Sequence, residues 1–263
     1  MTLDLDELTS GWDCPPGELR ARLIVGRDGQ EQLQLRVDLG VIQMYPDGRP
    51  DGERYRGFPT AREFIEHEFR MPNCRVEPAD WQELDREIQQ FNYRRMAYAT
   101  IAEEALQIGD EERALRCLHG ALRDIESCLA GLALVARHEA NSEAYAGLRP
   151  TLVFDRARLT AQLRIIEGLF EEALEEAQAG AAALEALLVE LGYDEEQRET
   201  DPALHYLRRL GQQLRREYGI AQTLHEQLEE AIENEDFETA ARIRDELNAR
   251  RQRRSRGQNL YTQ

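Results

Sequence analysis

From Thr60 onward the chain reads as helix interrupted at single points, a continuity that few fold classes accommodate. A short helix over Thr60–Phe69 stops before Pro72, and Pro78-Ala-Asp-Trp81 opens a long one running to Ile108. Gly109-Asp110 ends it, and a second long helix continues to about Glu139. After a link over Asn141–Arg149, Pro150 suits the first turn of a third helix, which Gly168 breaks. A further helix reaches Leu191, Gly192 stops it, and Tyr193–Asp201 reads as an acidic loop. Helices resume at Pro202 and continue into the C-terminal region. The expectation is a mainly α protein, either an antiparallel helical bundle or a repeat-like helical stack.

The first 58 residues follow a different period. Leu19–Val25 and Gln32–Val37 alternate or run apolar as strands do, with Gly26-Arg-Asp-Gly29 as the turn between them. Val41–Tyr45 is a candidate third strand. Pro46-Asp-Gly-Arg-Pro-Asp-Gly52 then holds two Asp-Gly steps and reads as loop. Asp38, Asp47 and Asp51 fall near one another, but their spacing lacks the ligand order and distal Glu of a calcium loop, so turn formation explains them. Trp12, Tyr55 and Phe58 are expected to close the small sheet, and Leu23, Val25, Leu35 and Val37 to dock it on the helices. This divides the chain into a β-rich region over 1–58, a helical scaffold over 59–201, and C-terminal helices over 202–263.

Two stretches of the scaffold resemble each other. Gly109-Asp-Glu-Glu-Arg-Ala114-Leu with Ala121 parallels Gly168-Leu-Phe-Glu-Glu-Ala173-Leu with Gly180, and Ala102 and Ala161 stand at matching places upstream. These positions are similar to the small residues of tetratricopeptide repeats, where helices approach closely. Tyr98, Ile101 and Leu118 extend the likeness in the first copy, whereas Ala157 and Ala177 weaken it in the second. The glycines lie 59 residues apart, against about 34 for such repeats, so a stack and an irregular bundle both remain open.

Residues 224–249 read as a helical hairpin turning at Asn234-Glu-Asp-Phe237. Leu224, Leu228, Ala231 and Ile232 make one apolar stripe, and Asp236 is a good N-cap for the second helix. Phe237, Ala240, Ala241, Arg244 and Leu247 are expected to face back toward the first helix. Through Leu228, Ala231, Asp236-Phe-Glu238, Ala240-Ala241 and Arg244-Asp245, the segment resembles the UVR motif, the helical hairpin of bacterial excinuclease subunits. Similar hairpins occur in Clp-type chaperones and in stress-response adaptors. The resemblance covers about a tenth of the chain and implies a protein partner, or a second copy in a homodimer. Helices this short leave apolar surface uncovered, so Leu228, Ile232, Phe237, Ala241, Arg244 and Leu247 are expected to meet it, with Phe237 either the anchor in a partner pocket or a staple between the two helices.

Charge and residue usage narrow the chemistry. The net charge is −18, and the 33 cationic residues are all arginine. Without lysine there is no Schiff base and no phosphate loop of the GxxxxGK[ST] kind. Cys14, Cys74, Cys117 and Cys128 are scattered with no CxxC pair, and the acidic MTLDLDELTSGWDC lacks the pattern of a secretory signal. No run of about 18 apolar residues is present to span a membrane. The expectation is a reduced, cytoplasmic chain.

Catalytic patterns fail one by one. His67-Glu68 lacks its second histidine, Cys117 and His119 point to different helix faces, and neither Gly-x-Ser-x-Gly nor a strand-borne GxGxxG occurs. Glu103-Glu104, Glu171-Glu172 and Glu175-Glu176 read as wetted helix faces. No catalytic, cofactor or metal residue is assigned, and a non-enzymatic scaffold or adaptor is expected. One feature runs against the acidic whole: Arg242 and Arg244, then Arg250, Arg251, Arg253, Arg254 and Arg256, concentrate positive charge near the end of the last helix. An acidic protein surface suits this run better than nucleic acid, since −18 elsewhere repels a phosphate backbone. A DNA-repair accessory with weak nucleic-acid contact through Arg250, Arg251, Arg253 and Arg254 is the alternative.

Overall fold

A computed structural model of the chain describes residues 5–38, 40–138 and 147–258. About two thirds of the described residues are helical, with a small antiparallel sheet near the N-terminus and a helical hairpin near the C-terminus. A short helix α1 (Leu5–Thr9) precedes strands β1 (Arg20–Val25), β2 (Glu31–Val37) and β3 (Gly40–Met44), paired in the order β1-β2-β3. The β1–β2 turn closes as its sequence implies: Gly29 takes a φ of 77°, and Asp28 accepts from the Gln30 amide at 3.0 Å. The helices follow as α2 (Ala61–Glu68), α3 (Pro78–Gln107), α4 (Glu111–His138), α5 (Leu148–Ile166), α6 (Phe170–Glu190), α7 (Glu195–Glu199), α8 (Pro202–Glu217), α9 (Leu224–Glu233) and α10 (Phe237–Gln258).

Helix boundaries fall where capping chemistry puts them. The Thr60 hydroxyl accepts from the Glu63 amide, and Glu77 with Asp80 forms a capping box ahead of Pro78. Asp201 caps α8, again with a proline in the first turn. The acidic stretch 193–201 is not all loop, because Asp194 and Gln197 build a capping box that nucleates α7. The expected link over 141–149 falls for the most part outside the described residues.

The scaffold helices pack chiefly on their neighbours in sequence, α3 on α4, α4 on α5, α5 on α6 and α6 on α8. Each neighbour runs antiparallel to the last: Tyr98 and Ile88 of α3 lie against Gly120 and Gly131 of α4, and Ala157 of α5 against Gly180 of α6. These glycines set the spacing. A Cβ at Gly120 would stand 2.8 Å from the Tyr98 ring, and one at Gly180 would stand 2.1 Å from the Ala157 Cβ. Ala102, Ala114, Ala121, Ala161 and Ala173, singled out by their spacing, are all buried in these seams.

One continuous core joins the sheet to the helices. Ala21, Leu33, Leu35 and Met44 pack with Phe64 and Ile65 of α2, with Leu84, Ile88 and Ile101 of α3, and with Leu118 and Ile125 of α4. Leu23 and Val37 dock at its margin, but Val25, at the end of its strand, is 74% exposed. Trp12 lies 4.0 Å under the Arg22 guanidinium, whereas Tyr55 and Phe58 stack edge-on against Phe64 instead of closing the sheet. A second core links α5, α6 and α8. The buried thiols of Cys117 and Cys128 are pushed up to about 11 and about 12 by desolvation, so both act as small apolar side chains.

Buried charge fastens the Pro46–Gly52 loop to the helices, which the sequence did not reveal. Arg94 makes a fork of two 2.7 Å hydrogen bonds to Asp124 and donates a third to the Tyr45 carbonyl. Arg49 reaches Asp51 and Glu83, and Arg86 also pairs with Asp51 at 3.1 Å. The carboxylates near the Asp-Gly turns therefore face guanidinium groups, Asp47 meeting Arg123 at 2.9 Å. Burial pushes the Asp51 and Glu83 carboxyls up, but hydrogen bonds and the Arg49 and Arg86 charges outweigh it and hold both below their ordinary range. Glu87 and Asp124, more deeply placed, are raised by desolvation despite their partners.

Candidate interaction site in the C-terminal hairpin

The hairpin begins with a capping box. The Thr223 hydroxyl accepts from the Glu226 amide at 3.2 Å, and the Glu226 carboxylate accepts from the Thr223 amide at 2.9 Å. Burial acts to raise the Glu226 carboxyl, but hydrogen bonds from Gln178, Thr223 and Arg215 prevail and lower it. At the tip Glu235 adopts a φ of 55°, a left-handed turn usually given to glycine, and the Asp236 amide donates back to Ala231 O at 2.8 Å. Asp236 then caps α10 by accepting from the Thr239 amide at 3.1 Å, and this contact holds its carboxyl below the ordinary range.

The inner face of the pair differs in phase from the sequence expectation. Leu224 and Ala231 of α9 are buried with Ala240 and Ile243 of α10, while Leu228, Ala241 and Leu247 are half-buried. Ile232 is 53% exposed and Phe237 is 70% exposed, so neither lies between the helices. Arg244 also points outward, beside Asp245 at 3.7 Å. The inner stripe of α10 advances by three from Ala240 to Ile243, whereas the sequence reading advanced by four and landed on Arg244. Phe237 is the first residue of α10, and a side chain there leans toward the helix N-terminus, away from the body of the pair. Of the residues expected to meet a partner, Ile232, Phe237 and Arg244 thus share the exposed surface, and Leu228, Ala241 and Leu247 lie partly inside. Arg250, Arg251, Arg253 and Arg254 fall on α10, and their side chains lie outside the described ones.

The second arm is also longer than the sequence suggested, running to Gln258. It packs chiefly on α9, and α9 in turn meets the scaffold through its first turn. The Leu224 amide donates to Glu171 Oε1 at 2.7 Å, His225 Nδ1 lies 2.8 Å from Glu175 Oε1, and Gln178 donates to Glu226 at 3.0 Å. Arg215 of α8 pairs with Glu226 and donates to the Ala221 carbonyl. Glu171 and Glu175, read from sequence as a wetted face, instead hold this joint, while Glu172 is buried near Arg164.

Residues 220–252 match the family model of the UvrB/uvrC motif. The C-terminal hairpin is a UVR motif. The matched span starts at Ile220, takes in the whole of α9 and the turn, and ends within α10. No curated protein and no solved structure matches the chain. Among the described residues no helix is long and apolar enough to cross a membrane, and no group of three or more His, Cys, Asp or Glu is placed to hold a metal ion. Elsewhere, small residues of α5 and α6 leave a cleft of about 610 Å³ bordered by α4. Its arginines are engaged, Arg123 with Asp47, Arg156 with Glu126 and Arg164 with Glu167.

Proposed function

We propose that this chain is a non-enzymatic adaptor or scaffold whose helical body presents the UVR hairpin to a partner protein. The observation that carries this reading is the exposure of Ile232 and Phe237 on either side of the hairpin turn, an apolar pair that the chain's own packing leaves in solvent. The surrounding tip is acidic, with Glu229, Glu230, Glu233, Glu235 and Glu238, so the partner suited to it offers an apolar pocket rimmed by basic groups. Bacterial stress response or proteolysis is the setting that the resemblance to chaperone and adaptor hairpins favours. The alternative, an accessory factor in DNA repair, rests on the arginine run of α10.

Affinity capture with the intact chain, a chain ending before Leu224, and the Phe237→Ala variant tests the proposal. Because Phe237 is so exposed, Phe237→Ala should leave the unfolding free energy nearly unchanged, within about 0.5 kcal/mol. As the anchor of the contact it should cost about 2 kcal/mol or more of binding, roughly thirtyfold in affinity. Partners captured equally by all three proteins would remove the hairpin from the function.

A further inference from the structure

We infer that the UVR hairpin is a hinged arm, held against α6 and α8 by the polar joint around Glu171, Glu175 and Glu226 and able to swing about Ala221 and Gln222, ahead of the Thr223 cap, with both of its helices intact. Three observations meet here. The scaffold cores are built from the sheet and α2 to α6 with α8, and the last residue of the chain packed against one of them is Ile220, beside Ala173, Leu174 and Leu214. The hairpin keeps its own apolar interior, in which Ala231, Ala240 and Ile243 are buried while α10 packs chiefly on α9. What joins the two bodies beyond Ile220 is polar: Glu171, Glu175 and Gln178 stand at successive turns along one face of α6, each meeting the first turn of α9.

A joint of this kind is poised for opening. The Glu171 carboxylate takes the Leu224 amide at the positive end of α9, an arrangement the helix dipole favours. His225 is half-exposed and Arg215 about a third exposed, so water reaches both side chains and can replace their partners as the joint opens. No apolar residue of the arm beyond Ile220 belongs to the scaffold cores, whereas melting the hairpin would expose Ile243 and Ala231. The arm should therefore separate from the scaffold well before it unfolds. The motion follows from how the hairpin is attached and does not depend on what the hairpin binds.

The test compares the full chain with a Glu171→Ala, Glu175→Ala double variant, since alanine suits α6 and removes both acceptors. Small-angle scattering should give a larger radius of gyration for the variant. Amide exchange at Leu224, whose partner is Glu171, should quicken by about tenfold, while Glu226, Gln227 and 240–247, bonded within the hairpin, keep their protection. An unchanged radius together with unchanged exchange at Leu224 would show that this joint does not hold the arm. Loss of protection at 240–247 along with Leu224 would show that the hairpin melts instead of swinging. Either result overturns the inference.

Discussion

Arg94 and Asp124 show what a single buried pair contributes. Each side chain is within 1% of complete burial, and the guanidinium fork takes both carboxylate oxygens while a third donor holds the Tyr45 carbonyl. Removing one partner strands the other without solvent, so Arg94→Ala should destabilise the fold by about 3–5 kcal/mol in chemical denaturation. The double change Arg94→Met, Asp124→Leu should recover most of that loss, because burying a charge pair is itself costly. A double variant as unstable as the single one would mean the pair acts through the loop carbonyl alone. At the hairpin tip the same scale separates Phe237, which the fold leaves exposed, from Ile243, which it buries. Both are apolar residues of one helix, distinguished by the phase of α10 against α9 and by the place of Phe237 at the helix start.

Between elements, spacing is set by missing side chains. Gly180 lets α6 approach the Ala157 methyl so closely that a Cβ could not be placed without moving backbone. Gly180→Ala should force α5 and α6 apart and cost about 1–3 kcal/mol, read as a lower melting midpoint. Equal stability would show that the pair shifts freely. The Pro46–Gly52 loop is held by charge as well as contact. Asp51 and Glu83 have folded values below their unfolded ones, so the stability they give is present above the unfolded values, near pH 4, and is lost as pH falls through the folded ones. Glu87 is raised and works in the opposite direction, recovering stability as it protonates. The melting midpoint should fall with pH below about 4, and an Asp51→Asn, Glu83→Gln variant should show a shallower fall. Identical slopes would place the acid sensitivity elsewhere.

For the whole molecule, net charge and its distribution govern what the surface attracts. At −18 the chain repels nucleic acid over most of its area, and the arginines of α10 are the exception. Binding to duplex DNA should be no tighter than about 10⁻⁴ to 10⁻⁶ M at physiological salt and should weaken steeply as salt rises. Submicromolar affinity, abolished by changing Arg250, Arg251, Arg253 and Arg254 to glutamine, would favour the repair reading over the adaptor one. The proposed division into scaffold and arm belongs to this scale too, since among the described residues no apolar residue of the hairpin beyond Ile220 belongs to the scaffold cores.

The helical body, the three strands and the hairpin were legible because their signals are local. Prolines and glycines mark helix ends, Asp-Gly marks turns, and periodicity marks faces. The UVR likeness was legible for the same reason, being carried by a short contiguous stretch. The Arg94–Asp124 pair was hidden because its members lie 30 residues apart, although an arginine interrupting the apolar stripe between Phe91 and Tyr98 was a signal of it. Glu171 and Glu175 looked like surface because nothing in their own helix marks the arrival of α9 some 50 residues later. The sequence by itself determined most of the segments that are helix, strand and turn, the short helices α1 and α7 excepted, since those follow from near neighbours along the chain. Only the tertiary structure decided which charges are buried and which apolar residues are left out, because burial depends on which distant helix arrives and at what phase.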